Sequence, residues 1–337
     1  MMTSEDIAQV KQLLAAPKKI AILPHRNPDG DAMGSNLGLY HFLKQKGHDV
    51  TVIAPNEFPD FLSWLPAAGT VKVFEREPET ATRILQDADI VFTLDFNTLS
   101  RLGDPMEAVL KGLDVPFIMI DHHQEPADYA RYRFSDTGYG STCEMVYHFI
   151  LALGEKQLID KTVATCLYTG IVTDSGSFRY PLTTGTTHRV VADFIDLGVD
   201  NSAIHSLLLD NHSHNRIQIL ARALQNMQVL PAYKTSYTFL SQEELNAFGH
   251  SKGDTEGIVN YGLSMKNIVF TAFFTENKEE GIIKISFRSK GGFDVNKYAR
   301  QHFSGGGHIN AAGGKSTETL EATIKKFIAT LATTKID

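Results

Sequence analysis

Lys19-Ile20-Ala21-Ile22-Leu23-Pro24-His25-Arg26-Asn27-Pro28-Asp29-Gly30-Asp31 is the stretch on which the fold turns. Four consecutive apolar residues, 20–23, run straight into a polar loop that carries an imidazole and two carboxylates. A run that is apolar at every position is buried on both faces, as in a parallel sheet covered by helices. Runs of the same kind recur at Val50-Thr51-Val52-Ile53, Ile90-Val91-Phe92-Thr93-Leu94 and Pro116-Phe117-Ile118-Met119-Ile120. Helices are expected at about 33–46, 142–153 and 160–173. An amphipathic helix is expected over 4–15, with Ile7, Val10, Leu13 and Leu14 on one face, capping-box spacing at Thr3 and Asp6, and Pro17 as its stop. The reading is an α/β fold whose first domain is a parallel sheet with helices on both faces.

In an open parallel sheet, ligands sit beyond the carboxyl ends of the strands. The sequence places His25, Asp29 and Asp31 after the first strand, Asp95 after the run 90–94, and Asp121-His122-His123 after the run 116–120. Asp174 ends the helix-like run 163–173. Each has an ordinary explanation by itself. Asp-Gly-Asp is commonly a turn, a strand-end aspartate caps the next helix, and paired histidines are often packing groups. Their convergence on one sheet edge is what points to chemistry. Asp29, Asp31, Asp95 and Asp174 in one cleft would raise one another's pKa values and oppose folding. Two divalent cations cancel those charges, and neutral imidazoles from His25 and His122 complete the shells. Carboxylate-plus-imidazole sites suit manganese, iron, cobalt or zinc, and all-oxygen sites suit magnesium or calcium. Two Mn2+ ions are the expected cofactor, with Mg2+ or Co2+ as alternatives. Two metals about 3.5–4 Å apart can stabilise an in-line displacement at phosphorus.

The remainder of the 337-residue chain changes character twice. From about 185 to 228 it reads as helical, a connector; after Pro231 the runs 237–240, 268–274 and 282–287 look like strands of a second sheet, the last two joined by a hairpin loop at 276–281. A glycine-rich stretch, Gly305-Gly306-Gly307, and a closing helix at about 317–332 follow. The expected domains are 1–190, a helical connector at 191–229, and a smaller α/β domain at 230–337. The sequence leaves a homodimer open, because the connector's Ile204, Leu207, Leu208, Ile217 and Leu220 can be satisfied by packing within the chain. Composition narrows the partners. The chain carries 39 acidic and 32 basic side chains, a formal net charge of −7, whereas grip on long nucleic acid rests on neutralising phosphates. No apolar run approaches the ~18 residues of a membrane span. The opening MMTSEDIAQVKQLL lacks a secretory pattern. Cys143 and Cys166 cannot make a disulfide framework and read as small core residues, so a cytoplasmic protein is expected. Trp64 reads as a packing residue.

His25-x3-Asp29-x-Asp31, Asp95, Asp121-His122-His123 and Thr173-Asp174-Ser175-Gly176, in this order and spacing, resemble the motifs of the DHH phosphoesterases. Phe303-Ser304-Gly305-Gly306-Gly307-His308-Ile309-Asn310-Ala311-Ala312-Gly313 resembles the glycine-rich motif of the associated DHHA1 substrate domain, with Ser304 where a further glycine is frequent. Length and domain pair are most similar to the bifunctional oligoribonuclease and pAp phosphatase group, the nano-RNases. The resemblance implies that His25, Asp29 and Asp95 hold one metal, and that Asp31, Asp95, His122 and Asp174 hold the other. It implies catalytic roles for His123, facing the scissile phosphate, and for Asp121, orienting a histidine. Arg288, Ser289, Gly306, Gly307 and His308 of the second domain, with Arg101 of the first, are expected to bind substrate, arginine gripping phosphate in bidentate fashion. The implied substrates are short oligoribonucleotides and nucleotides with an exposed phosphate, 3'-phosphoadenosine 5'-phosphate (pAp) among them. Exopolyphosphatase, pyrophosphatase and pApA phosphodiesterase activities are the alternatives. A non-catalytic nucleotide-binding regulator is the reading of a different class, disfavoured because every ligand position is occupied.

Overall fold

The computed structural model describes residues 3–336; Met1, Met2 and Asp337, the outermost positions of the expected domains, lie outside the described residues. The chain forms two compact units that part between Asn211 and His212. The first contains α1 (Ser4–Leu13), β1 (Lys19–Leu23), α2 (Gly30–Gln45), β2 (Asp49–Ala54), β3 (Lys72–Val73), α3 (Pro78–Gln86), β4 (Ile90–Leu94), α4 (Asp104–Lys111), β5 (Phe117–Asp121), β6 (Tyr132–Ser135), α5 (Thr142–Ala152), α6 (Lys161–Asp174), α7 (Gly185–Asp196) and α8 (Asn201–Leu209). The capping box read from Thr3 and Asp6 is in place at α1.

Its six strands lie in the order β3-β2-β1-β4-β5-β6, every pairing parallel. Ile20 pairs with Val50 on one side and Ile90 on the other, and Phe92 with Ile118. Both faces are buried, as unbroken apolar runs require. Ile20, Ile22, Phe92 and Ile120 point into a core shared with α1, α2, α5 and α6, while Ala21, Leu23 and Val91 point into a second core under α3 and α4. The order reverses between β1 and β4, where α2 packs on one face and α4 on the other. Such a switch point opens a crevice at the carboxyl ends of the two strands.

The first two turns of α2 pack on α6 with almost no side chain between them. A Cβ added at Gly34 would stand 2.6 Å from the Cys166 carbonyl oxygen, and one at Gly30 would stand 2.4 Å from Thr173 Oγ1. Cys143 and Cys166 are both buried in this core as free thiols, and Trp64 packs against it. Among the described residues, no helix is long and apolar enough to cross a membrane.

The second unit contains α9 (His214–Gln225), β7 (Gln228–Leu230), β8 (Thr235–Leu240), α10 (Gln242–Ala247), α11 (Asn260–Leu263), β9 (Phe270–Asn277), β10 (Ile282–Ser289), α12 (Val295–His302), β11 (Gly306–Gly307), β12 (Ala311–Ser316) and α13 (Leu320–Leu331). Its mixed sheet has the order β11-β12-β10-β9-β8-β7. Phe270, Phe274 and Phe287 of the sheet pack against Tyr298 and Phe327 on one face. On the other, Leu240 and Phe273 meet Ile219 and Ala223 of α9. Of the connector helices, α7 and α8 bury Phe194, Ile204 and Leu208 in the first unit's core, and α9 belongs to the second unit.

Candidate metal centre

The acidic and imidazole side chains picked out in the first unit gather at the switch point. His25 follows β1, Asp95 follows β4, Asp121 ends β5 with His122 and His123 behind it, and Asp174 is the last residue of α6. The segment 29–31, expected as a loop, is instead the start of α2. Asp29 is its N-cap and Asp31 sits in its first turn, so the helix begins three residues before the expected position.

Two buried imidazoles are aimed by their far nitrogens. His25 Nδ1 lies 2.8 Å from the Arg26 carbonyl and His122 Nδ1 lies 3.2 Å from the Tyr139 carbonyl. A carbonyl only accepts, so each Nδ1 carries a proton and Nε2 is the atom turned to the crevice, where a neutral ring offers its lone pair to a cation. His25 Nε2 is 3.6 Å from Asp95 Oδ2 and 3.8 Å from Asp29 Oδ2. His122 Nε2 is 3.4 Å from Asp95 Oδ1, 3.4 Å from Asp174 Oδ2 and 3.8 Å from Asp31 Oδ2. Asp95 thus turns one oxygen to each ring. These separations are longer than good hydrogen bonds. That donor set fits divalent cations of the manganese, cobalt or zinc type.

The electrostatics agree. Burial and then the Asp95 and Asp174 carboxylates push Asp31 well above the usual carboxylate range. Burial opposes a charge on His122, but Asp95, Asp174 and Asp31 hold its pKa well above the ordinary imidazole value. Burial also opposes the Asp95 carboxylate, which the imidazoles of His122 and His25 nevertheless hold well below its usual value. With protein groups alone, protons must fill a place that cations fill better.

Donors from the chain fix three of the carboxylates, Asp29 through one oxygen and Asp31 through both. Asp29 Oδ1 accepts from the N–H of Asp31 (3.1 Å) and of Ala32 (3.0 Å), so Oδ2 is the atom facing His25. Asp31 accepts from the Thr142 N–H (2.6 Å) and the Cys143 N–H (2.9 Å), the first turn of α5. Thr142 Oγ1 donates to Asp95 Oδ1 at 2.9 Å. Asp95 itself is left-handed, with φ 68°, and its N–H donates to the Ile120 carbonyl. Asp174 stands at the carboxyl end of a helix, where the carbonyl dipoles disfavour a negative charge. Gly176 and Ser177 cap that end, their N–H groups donating to Thr173 and Val172. Ser177 and Phe178 are also left-handed, at roughly 1–2 kcal/mol per L-residue. Beside the site, Asn27 and Asn56 exchange two hydrogen bonds of 2.7 and 2.8 Å that pin the 24–28 turn, and the Arg26 N–H donates to the Arg101 carbonyl.

His123 is placed differently. Its Nδ1 lies 2.7 Å from Asp121 Oδ1. Asp121 is fully buried, and its Oδ2 has no hydrogen-bond partner among the described residues, so His123 is the group on which this carboxylate acts. Arg101 lies on the short turn Leu99–Leu102, exposed, and its charge opposes protonation of His25.

The remaining candidates share one end of the second unit's sheet, where Arg288 pairs with Ala311 and Gly307 with Ala312. Arg288 is half-buried and donates to the Phe287 carbonyl. Ser289 Oγ is engaged on both sides, donating to the Phe293 carbonyl (2.6 Å) and accepting from Asn310 Nδ2 (2.9 Å). The glycines serve the chain's own close approach. A Cβ at Gly305 would stand 1.9 Å from the Gly313 carbonyl oxygen, and one at Gly307 would stand 2.5 Å from that of Ala311. Gly306 is the roomier position, with Asn296 and Arg300 as its neighbours at 3.5 Å and beyond. His308 and Ala311 close the turn between β11 and β12 through their main-chain groups.

Sequence alone did not point to Thr142, the Tyr139 carbonyl, Asn56 or Ser177. Their parts depend on main-chain direction and on neighbours far away in the chain, and no motif encodes that.

Comparison with known proteins agrees with this geometry. Residues 19–171 match the DHH family, N-terminal domain, and residues 233–334 match the DHHA1 domain. The bifunctional oligoribonuclease and PAP phosphatase NrnA of Thermus thermophilus is 29% identical over 91% of this chain and 86% of its own length. Its namesake from Bacillus subtilis is 27% identical over 86% of each. A crystal structure of an exopolyphosphatase-related protein from Bacteroides fragilis superposes with a TM-score of 0.93, at 38% identity, covering 99% of this chain and 97% of that one. The chain, with its paired domains and its acidic and histidine side chains placed to bind metal, belongs to the DHH family of metal-dependent phosphoesterases, in the branch that carries a DHHA1 domain.

Proposed function

We propose that the chain hydrolyses short oligoribonucleotides to mononucleotides and pAp to AMP, with two Mn2+ ions as cofactor. The observation that carries the reading is Asp95, set between two buried imidazoles with one oxygen toward each. His25, Asp29 and Asp95 would hold one ion; Asp31, Asp95, His122 and Asp174 would hold the other. Bound there, two divalent cations supply the Lewis acidity that polarises a phosphoryl oxygen and acidifies water. The chain's own groups do the rest. Asp121 keeps a proton on His123 Nδ1 and fixes the ring, so that Nε2 engages a non-bridging oxygen or hands a proton to the leaving oxygen. Arg288, His308 and the main chain at Gly306 and Gly307 bind the remaining phosphate and sugar, Ser289 holding the strand end that carries Arg288. Arg101 adds positive charge on the first unit. The formal charge of −7 speaks against long nucleic acid as substrate. The relatives named as oligoribonuclease and PAP phosphatase support this choice of substrate.

Purified protein with Mn2+ should release mononucleotides from RNA dinucleotides and phosphate from pAp. Failure on both with Mn2+, Mg2+ and Co2+ overturns the proposal. A normal rate in an Asp95→Ala, Asp174→Ala double variant overturns the assignment of the site. The Bacteroides fragilis structure, described as exopolyphosphatase-related, favours a second reading in which short polyphosphate is cleaved. Rates on pAp, pApA, pyrophosphate and tripolyphosphate measured side by side rank the two.

A further inference from the structure

The turn that follows Asp174 is left-handed for three residues in succession. Gly176, Ser177 and Phe178 have φ of 57°, 59° and 65°. The glycine is at ease there, as the capping residue of α6. The next two carry side chains and are held against their steric preference. The Ser177 N–H donates to the Val172 carbonyl at 2.8 Å, closing the last turn of α6. The Phe178 N–H donates to Ser175 Oγ at 2.9 Å, and the Phe178 ring lies against Tyr168, His188 and His205. Ser177 is tied from outside the segment by a hydrogen bond between its Oγ and His205 Nε2, 3.2 Å, reaching across from α8. His205 is itself aimed. Its Nδ1 lies 2.8 Å from the Asn201 carbonyl, so that nitrogen carries the proton, and Nε2 of the neutral ring accepts from the Ser177 hydroxyl.

We propose that His205 is a positioning residue for Asp174: by holding Ser177 in its left-handed conformation, it keeps the carboxyl end of α6 closed and Asp174 aimed at the metal centre. Strain of this kind persists only where its surroundings over-determine it, and it gathers at functional sites. The path is short. With the Phe178 ring anchored on Tyr168 and His188, a relaxation of Ser177 to an ordinary conformation is taken up on its α6 side, where its N–H leaves the Val172 carbonyl and the turn bearing Asp174 frays. The inference rests on the reading of Asp174 as a metal ligand.

The test uses Mn2+ itself, titrated calorimetrically into the wild type, His205→Ala, Ser177→Gly and the double variant. Amide hydrogen exchange over residues 172–178 is followed in the same four proteins without metal. Glycine adopts the left-handed conformation without penalty, so Ser177→Gly removes the need for the clamp. In the wild-type background, His205→Ala should weaken Mn2+ binding about three- to tenfold, the scale of one lost hydrogen bond, and should speed exchange at the Ser177 N–H. In the Ser177→Gly background the same change should do neither, which is coupling that general packing would not produce. Equal effects in both backgrounds overturn the proposal. So does unchanged exchange in His205→Ala, whatever the metal does, and so does faster exchange with unaltered Mn2+ affinity. A wild type that binds no Mn2+ defeats the metal reading and the positioning of a ligand with it. Exchange in the metal-free protein tells that failure apart from failure of the clamp.

Discussion

The edge of the parallel sheet and the glycine-rich end of the second sheet both collect candidate functional residues, but they treat them in opposite ways. At the first, the fold uses the far atoms of His25, His122 and Asp29 and leaves the near ones for a ligand. His25 and His122 give Nδ1 to carbonyls and turn Nε2 inward, and Asp29 gives Oδ1 to a helix start and turns Oδ2 inward. At the second, the fold consumes much of the chemistry. Both hydrogen-bonding directions of the Ser289 hydroxyl are taken, and the absence of a Cβ at Gly305 and Gly307 lets strands touch. A motif residue can therefore be present for its reactive atom or for its shape, and the difference shows in which of its atoms the protein itself satisfies.

The sharpest way to break this contrast is Asp95→Asn. The amide keeps the volume but cannot offer an anionic oxygen to each imidazole. Turnover with Mn2+ should fall by on the order of 10³-fold or more, the upper scale for removing one electrostatic group from a reacting centre. A fall under tenfold would mean that Asp95 serves the fold rather than a metal. Next comes Asp121→Asn, which loses the charge that fixes His123. Turnover should drop about 10–100-fold, as for partners that orient ligands and acids, while calorimetry shows little change in Mn2+ affinity. An equal loss in affinity would make Asp121 part of the metal shell.

On the other side of the comparison, Gly305→Ala should act on stability. Its Cβ meets the main chain at Gly313, which cannot retreat without parting β11 from β12. A loss of about 1–3 kcal/mol is expected from overpacking, read by urea unfolding of the full chain. A stable variant with impaired substrate binding would show that the loop serves a ligand instead.

Much of the first unit was legible because buried parallel strands are written as unbroken apolar runs. β1, β4 and β5 fall within a residue of their expected limits, and with them the strand-end side chains. What was hidden has a physical pattern. The edge strands β3, only two residues long, and β6, alternately buried and exposed, lack that signature. The helices α3 and α4, nine and eight residues long, were not among the expected helices, because each is too short to build a long periodic pattern. The Gly30, Gly34 and Gly38 repeat along α2 carries no hydropathy, yet it brings α6, and Asp174 with it, close to Asp31. Strands β11 and β12 are mostly glycine and alanine; β12 is a strand because β10 offers it an edge, and β11 because β12 does. The grip of α5 on Asp31 comes from main-chain N–H groups 111 and 112 residues away, and residue types do not announce it.

The smallest expected effect isolates a charge in the second unit that is purely structural. Glu244 sits in the first turn of α10 and joins that helix to α9. It accepts from Arg222 Nε (2.6 Å), Asn226 Nδ2 (3.1 Å) and the Ser241 N–H (2.9 Å). Burial pushes its pKa up, but these hydrogen bonds and the Arg222 charge outweigh burial and hold it below the usual glutamate value. A depressed folded-state pKa means that the stabilisation is fully present above the unfolded pKa of ~4.3 and is lost as pH falls through the lower, folded value. Glu244→Gln keeps one acceptor oxygen and loses the charge. It should cost about 1 kcal/mol at pH 7, since Arg222 is partly solvated and screened. The urea midpoints of variant and wild type should then converge as the pH is lowered below ~4. A gap independent of pH would mean that Glu244 contributes by shape, as the glycines of the same unit do, and that the contrast between charge and shape fails there.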